Sequence, residues 1–268
     1  MSSKGRSASG WLSPLIRRKQ APSMISATTH SMDGTELSCV MVDPRADRPA
    51  LVYAHGFLGG KDHRAVPRFL AALSRDWSVY AFDFRGHGQS DGTCRFADGE
   101  AADLDAVVGL ARSNGHPVIV TVGSSMGGAT AIRHAAACHS VAAVVTIGVY
   151  ASANPLLRST TQGLLQLAFH RQSGGRLVKG ALGARLGSFS LAEGQPVDAI
   201  RRISPRPVLL VHGRLDPLIP PSEAYRLQLA GGPNCDLLVR PWHGHDQPHL
   251  NADTARRITA WARARGVI

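Results

Sequence analysis

Residues 117–130 read PVIVTVGSSMGGAT, an apolar run that leads directly into a pair of serines bracketed by glycines. The β-branched composition of Pro117–Val122 indicates a buried strand, and the residues after the second glycine have the composition of a helix. Gly123 and Gly127 stand two residues before and after Ser125, so the chain can turn sharply there without Cβ clashes. The stretch predicts a strand, a tight turn and a helix, with Ser125 at the turn.

A serine in this position is suited to act as a nucleophile. The pattern G-x-S-x-G between a strand and a helix holds the serine in a strained conformation, with its hydroxyl above the sheet at a helix N-terminus. Ser124 is the alternative nucleophile, but Val122 and Met126 at its own plus and minus two positions would crowd the turn. A loop for phosphate binding is a further interpretation, although the motifs of such loops are absent.

On both sides of this turn, short apolar strands alternate with helices of about three turns, which predicts an α/β fold with a mostly parallel sheet. Before this alternation begins, Asp33-Gly34 predicts a hairpin turn between the first two strands. The predicted strands are Met24–Thr29, Glu36–Val42, Ala50–Ala54, Val79–Phe82, Pro117–Val122, Val141–Ile147, Val208–His212 and Asp236–Arg240, and the predicted helices are Arg64–Ser74, Glu100–Arg112, Gly127–Ala137, Ser222–Ala230 and Asn251–Arg265.

Two segments do not fit the alternation. Residues 1–22 are predicted to be a disordered basic leader, and residues 23–268 a single domain. Within that domain, the region at about 150–205 is predicted to be an inserted, mainly helical cap, because a structureless loop of about 60 residues would be unusual.

The charge is unevenly distributed. The 30 Lys and Arg residues against 19 Asp and Glu residues give a formal net charge of +11. The leader is basic and has no acid, and the cap has a surplus of basic residues, which indicates either a preference for anionic substrates or a solvated basic face. The basic residues are Lys4, Arg6, Arg17, Arg18 and Lys19 in the leader, and Arg158, Arg171, Arg176, Lys179 and Arg185 against Glu193 in residues 151–195 of the cap.

The partners expected from composition are few. Aromatic residues make up 6% of the chain and are not interleaved with basic residues, so we expect no nucleic acid partner. No apolar stretch is long enough to span a membrane and no secretory signal is present, so the expected location is the cytoplasm. The leader residues Trp11, Leu12, Leu15 and Ile16 either make weak peripheral contact with lipid or form a flexible tail.

The four cysteines are scattered and form no CxxC pair. Cys39, Cys94, Cys138 and Cys235 are therefore predicted to be reduced, mostly buried residues, and neither a metal nor a redox motif is expected from them.

A serine nucleophile needs a carboxylate and a histidine base on loops after later strands. Asp216, in VHGRLDPLIP, is the predicted acid, since the loop 148–155 after the preceding strand has no carboxylate. Asp198 and Glu193 are the alternatives, although both precede the strand.

The base is predicted within WHGHDQPH, which follows the last strand. His245 is favoured by its distance from the strand, with His243 and His249 as alternatives. The same cluster together with Asp246 could instead bind a metal, since His-x-His brings two imidazoles together, but further ligands would then be needed.

The oxyanion of a tetrahedral intermediate needs backbone donors, and we predict the N–H groups of Met126 and Phe57. His55 is predicted to support the Phe57 loop. The stretch DFRGHGQS, from Asp83 to Ser90, is predicted to shape the floor of the site, with His87 and Asp83 outside the chemistry.

These blocks together resemble the α/β-hydrolase superfamily: HGF at His55, DFRGHGQS at Asp83, the turn at Ser125, and then Asp216 and His245 in that order. The resemblance spans roughly residues 33–265 and is greatest to small bacterial esterases, including lysophospholipase-like and cinnamoyl-esterase-like members. It implies an eight-stranded, mostly parallel sheet flanked by helices, with a cap after strand six. One departure is Ser124, which stands where many such esterases have histidine.

The function expected from this resemblance is a carboxylesterase-type serine hydrolase that needs no cofactor and acts on a small acyl ester. A thioesterase or a carbon–carbon bond hydrolase would use the same Ser125, Asp216 and His245, and so is an alternative. A ligand-binding protein that retains the fold but turns over slowly is an alternative of another class.

Overall fold

The computed structural model describes residues 21–95, 98–153, 183–187 and 194–268. Nearly all of the basic leader and most of the predicted cap lie outside the described residues, as does Glu193.

The described chain is built around one eight-stranded sheet. Its strand order is β1-β2-β4-β3-β5-β6-β7-β8, in which β1 and β2 run antiparallel to their neighbours and the six strands from β4 to β8 pair in parallel. The strands are β1 Met24–His30, β2 Glu36–Val42, β3 Ala50–Ala54, β4 Ser78–Phe82, β5 Ile119–Ser124, β6 Ala143–Ile147, β7 Val208–Gly213 and β8 Cys235–Arg240.

Helices cover both faces of this sheet, which is why its central strands are buried on both sides. Helices α1 and α6 pack on one face, and α2, α3 and α5 pack on the other. The helices are α1 Val66–Leu73, α2 Asp98–Ser113, α3 Met126–Ala137, α4 Pro196–Ala199, α5 Pro221–Gly231 and α6 Ala252–Ala264.

The predicted α/β fold with a mostly parallel, eight-stranded sheet is confirmed. The boundaries differ most at β5, which was predicted over Pro117–Val122 and is observed over Ile119–Ser124. Pro117 has no N–H for the ladder, and at the other end Ser124 still pairs with Ile147 of β6. The strand therefore runs directly to the turn at Ser125.

The structure also bears on membrane insertion and on the state of the cysteines. No helix among the described residues is long and apolar enough to cross a bilayer. All four cysteines are free, and Cys39, Cys94 and Cys235 are buried whereas Cys138 is partly exposed.

Candidate active site

Ser125 is at the tight turn between β5 and α3. Its backbone has φ 49° and ψ −113°, a positive φ that is costly for a residue with a Cβ. Its N–H donates to the Ile147 carbonyl at 2.8 Å, which ties the turn to the neighbouring strand β6. The turn places Ser125 at the C-terminal edge of the sheet, with its side chain partly exposed.

The glycines on either side are required by close backbone contacts. A Cβ on Gly123 would lie 2.3 Å from the Gly127 carbonyl oxygen, and a Cβ on Gly127 would lie 2.2 Å from the Ala54 carbonyl oxygen. Such distances do not occur for real Cβ atoms, so α3 can approach β3 and β5 this closely only with glycine at both positions.

We expect Gly127→Ala to destabilise the fold by about 3 kcal/mol, because backbone must move to admit the methyl group. The matched control is Gly109→Ala in α2, where the added Cβ would meet nothing within 4 Å. That substitution should stabilise the protein by about 0.5–1 kcal/mol through the higher helix propensity of alanine. Urea unfolding of both variants measures the difference, and equal stabilities would contradict the close contact at Gly127.

His245 connects Ser125 to Asp216. Its Nε2 lies 3.1 Å from Ser125 Oγ, and its Nδ1 lies 2.7 Å from Asp216 Oδ2. These three residues follow β5, β7 and β8, so the parallel sheet brings them together at one edge although they are far apart in the sequence. His245 also packs over Gly148, where a Cβ would lie 3.2 Å from Nδ1.

The Asp216 carboxylate is buried but well supplied with donors. Its Oδ1 accepts the N–H groups of Leu218 and Ile219, each at 2.9 Å, while Oδ2 faces His245. Burial opposes the charge, but the hydrogen bond to His245 and these backbone donors outweigh it and lower the pKa of Asp216. Asp216 is therefore an ionised acceptor, which directs the Nδ1–H of His245 toward it and leaves Nε2 facing Ser125 as an acceptor.

The other histidines of this loop lie elsewhere. His243 Nε2 is 3.3 Å from the Arg240 guanidinium, and His249 Nε2 is 3.1 Å from the Gly244 carbonyl oxygen. Burial, followed by the nearby His243, lowers the pKa of His249 to about 4. Of the three candidate bases, His245 is the one that the structure places beside Ser125.

The structure describes one of the two alternative acids and the residues of the alternative metal cluster. Asp198 is exposed in α4, and Glu193 lies outside the described residues. The residues His243, His245 and Asp246 do not form a group with metal-ligand spacing in the part of the chain that the structure describes.

The loop after β3 passes directly beside Ser125. A Cβ on Gly56 would lie 3.4 Å from Ser125 Cβ. The Gly56 carbonyl oxygen is 2.7 Å from His55 Nδ1 and accepts the Gly59 N–H at 2.9 Å. Because C=O and N–H point in opposite directions across a trans peptide, these contacts fix the orientation of the Phe57 N–H.

His55 supports this loop as a neutral imidazole. Its Nε2 accepts the Phe84 N–H at 2.9 Å, which leaves the proton on Nδ1 for the Gly56 carbonyl. Burial, with the neighbouring His87, lowers the pKa of His55 to about 3, so the ring stays neutral and keeps this tautomer across the physiological range.

The DFRGHGQS segment underlies this loop. Asp83 accepts from the Lys61 backbone N–H and from Lys61 Nζ, both at 2.8 Å, and also from the Gln89 N–H. His87 packs against Phe57 at 5.9 Å between ring centroids. Asp83 thus ties this segment to Lys61, and His87 lies against the Phe57 loop.

The sequence analysis missed a buried polar group beneath Ser125. The Ser124 hydroxyl accepts from Tyr53 Oη at 3.3 Å, and the buried carboxyl of Asp246, the residue after His245, lies in the same region. Asp246 has φ 47°, and burial raises its pKa. A serine in place of the more usual histidine and an aspartate next to the base were the available signals. Their proximity depends on how β3, β5 and the loop after β8 pack together.

Comparisons with known proteins agree with this architecture. A family model described as the alpha/beta hydrolase fold matches residues 49–172. A 2-succinyl-6-hydroxy-2,4-cyclohexadiene-1-carboxylate synthase of Serratia proteamaculans is 32% identical over 130 residues, which are 48% of each chain. A monoacylglycerol lipase of Mycolicibacterium smegmatis is 35% identical over 126 residues, 42% of this chain and 44% of the lipase. The chain thus aligns with slightly less than half the length of these two relatives.

Among solved structures, an esterase of Pyrococcus furiosus superposes with a TM-score of 0.72 at 18% identity. The match covers 98% of this chain and 99% of the esterase. At this low identity the superposition shows that the two chains share a fold.

Proposed function

Because the chain has the α/β-hydrolase fold, we propose that it is a serine hydrolase that cleaves a carboxylic ester through an acyl-enzyme on Ser125. The observation that carries the proposal is the continuous chain of contacts from Asp216 through His245 to Ser125, at 2.7 and 3.1 Å. A serine hydroxyl is a weak nucleophile by itself, and this arrangement is the one that activates it.

The proposed first step forms the acyl-enzyme. His245 Nε2 removes the Ser125 proton as Oγ attacks the acyl carbon, and the resulting imidazolium is stabilised by the ionised Asp216. The carbon–oxygen bond to the leaving alcohol then breaks, and His245 returns the proton to that alcohol. In the second step His245 takes a proton from water, which attacks the acyl carbon; the bond to Ser125 Oγ then breaks, His245 returns the proton to Oγ, and the acid leaves.

The oxyanion of each tetrahedral intermediate is proposed to accept from the Met126 and Phe57 N–H groups. Met126 is the first residue of α3, and N–H groups in the first turn of a helix have no acceptor within that helix. The orientation of the Phe57 peptide, held through the Gly56 carbonyl by His55 and Gly59, supports its assignment as the second donor.

The curated relatives make the nature of the scissile bond the main question. The lipase relative favours an ester, whereas the other relative is named a synthase. The same Ser125, Asp216 and His245 would serve a thioesterase or a carbon–carbon bond hydrolase. We place the ester first because the lipase relative is named for ester cleavage.

The proposal is tested by treating the purified full chain with a fluorophosphonate probe and identifying the labelled peptide by mass spectrometry. We expect one label, on Ser125, and hydrolysis of p-nitrophenyl acetate, butyrate and octanoate with the same sensitivity to the probe. Matched oxygen esters and thioesters of one acyl chain, assayed in parallel, measure the preference for the bond, and a pair of neutral and anionic esters measures the preference for charge.

Labelling of a different residue, or hydrolysis that persists in fully labelled protein, would contradict the proposed nucleophile. A folded protein that neither labels nor turns over would favour the ligand-binding alternative. Faster turnover of the thioester than of the ester, with Ser125 labelled, would keep the triad and change the substrate class.

A further inference from the structure

A second cluster of reactive side chains lies at the opposite end of α3 from Ser125. It consists of Asp105 on α2, His134 in the last turn of α3 and Cys138 directly after that helix. Asp105 Oδ1 is 2.9 Å from His134 Nε2, and Cys138 Sγ is 3.4 Å from the same nitrogen. The mechanism proposed above uses none of these residues.

We propose that Asp105, His134 and Cys138 form a zinc-binding site that joins α2 to α3. The three ligand atoms all lie within 4.8 Å of one another. A tetrahedral zinc ion with bonds of about 2.0–2.3 Å separates its ligand atoms by about 3.3–3.6 Å, so the distances of 2.9 and 3.4 Å need only a small rearrangement. One thiolate, one imidazole and one carboxylate form a ligand set that suits zinc better than magnesium or calcium.

The surroundings of the cluster hold the ligands in place and leave one side accessible. His134 is buried, whereas Asp105 is exposed and Cys138 is partly exposed, so two of the three ligand residues open to solvent. Cys138 Sγ also contacts the Ser140 hydroxyl at 2.9 Å and the His134 carbonyl at 3.1 Å, which positions the sulfur beside the ring. Water would supply the fourth ligand.

The site escaped the sequence analysis because zinc was sought there as CxxC pairs or as the His243 cluster. His134 and Cys138 are four residues apart, a spacing that places both on one face of a helix end, but the third ligand comes from α2. Within residues 21–95, 98–153, 183–187 and 194–268, this is the one group of three or more such residues with metal-ligand spacing.

Cobalt titration of the metal-stripped full chain tests the proposal, because a cobalt–thiolate bond gives a near-ultraviolet charge-transfer band. Cys138 is the one cysteine of the four that is not buried, so the band reports on this site. We expect a band that saturates at one cobalt per chain and is abolished by equimolar zinc. Cys138→Ser should remove the band, and Asp105→Asn should weaken zinc binding at least tenfold.

Two controls separate this site from others. Asp198→Asn changes another exposed aspartate, in α4, and should leave the titration unchanged. His243→Asn removes a histidine of the loop beside Ser125 and should also leave the cobalt band unchanged. Cys138 and Asp105 are the residues to vary because His134 is packed between the helices, and its loss could prevent folding.

Thermal unfolding provides a second readout that does not depend on activity. Zinc at 100-fold excess over its Kd should raise the Tm of the wild-type chain by about 5 °C or more, and should leave the Tm of Cys138→Ser unchanged. The helix of 12 residues separates the cluster from Ser125 by about 18 Å, so Cys138→Ser should retain ester hydrolysis. A wild-type chain without the cobalt band, or equal zinc binding by wild type and Cys138→Ser, would overturn the proposal.

Discussion

Replacing Ser125 with alanine is expected to lower kcat for p-nitrophenyl esters by a factor on the order of 10⁶ and to abolish fluorophosphonate labelling. The loss is this large because His245 would have no hydroxyl to deprotonate at 3.1 Å from its Nε2. Any residual turnover would come from water activated by His245 and from the oxyanion donors. Initial rates and labelling intensity, measured on protein with a wild-type circular dichroism spectrum, check the expectation.

Ser124→Ala is the matched control, since it removes the adjacent hydroxyl. Ser124 is fully buried, and its hydroxyl accepts a hydrogen bond from Tyr53 Oη. We expect this variant to label normally, to keep kcat within about tenfold, and to lose about 1 kcal/mol of stability for the missing hydrogen bond. Loss of labelling in Ser124→Ala with retention in Ser125→Ala would exchange the roles of the two serines.

The backbone at Ser125 allows a further comparison. A serine or an alanine at φ 49° carries strain that a glycine does not. Ser125→Gly should therefore unfold at a higher urea concentration than Ser125→Ala, although both are inactive. Equal stabilities would indicate that the turn costs little, and the close contacts at Gly123 and Gly127 would then be the main constraint on this loop.

The order of the strands and helices could be predicted from the sequence, as could the residues that meet at one edge of the sheet. The reason is physical. Buried parallel strands read as short apolar runs, and their C-terminal ends must converge, so residues after β5, β7 and β8 were expected at one edge. The choice of His245 over His243 and His249 rested on distance from the strand, and the structure places His245 beside Ser125.

What the sequence did not predict depends on contacts between distant segments. The Tyr53 to Ser124 contact joins the ends of strands β3 and β5, and the Asp105 to His134 contact joins two helices; neither has a local pattern. The role of His55 was inferred only in outline, since the sequence cannot say that its two nitrogens face Phe84 and Gly56.

Asp216→Asn is expected to lower kcat by a factor on the order of 10⁴ while the protein stays folded. In the wild-type chain Asp216 Oδ1 accepts two backbone N–H groups, from Leu218 and Ile219. Asparagine must keep its oxygen toward these donors, so its NH₂ group faces His245 Nδ1. The imidazole then accepts at Nδ1 and carries its proton on Nε2, where it can no longer remove the Ser125 proton.

The control for this prediction is Asp198→Asn, the same change at the exposed aspartate that was the alternative acid. It should leave kcat unchanged, and both variants should unfold at nearly the wild-type urea concentration. A fall of less than tenfold in Asp216→Asn would mean that another carboxylate orients His245. Asp246 is adjacent to that histidine, and the pKa of its carboxyl is raised by burial, so Asp246→Asn would be the variant that decides between them. A full loss in Asp216→Asn with activity kept in Asp246→Asn would assign the orienting role to Asp216.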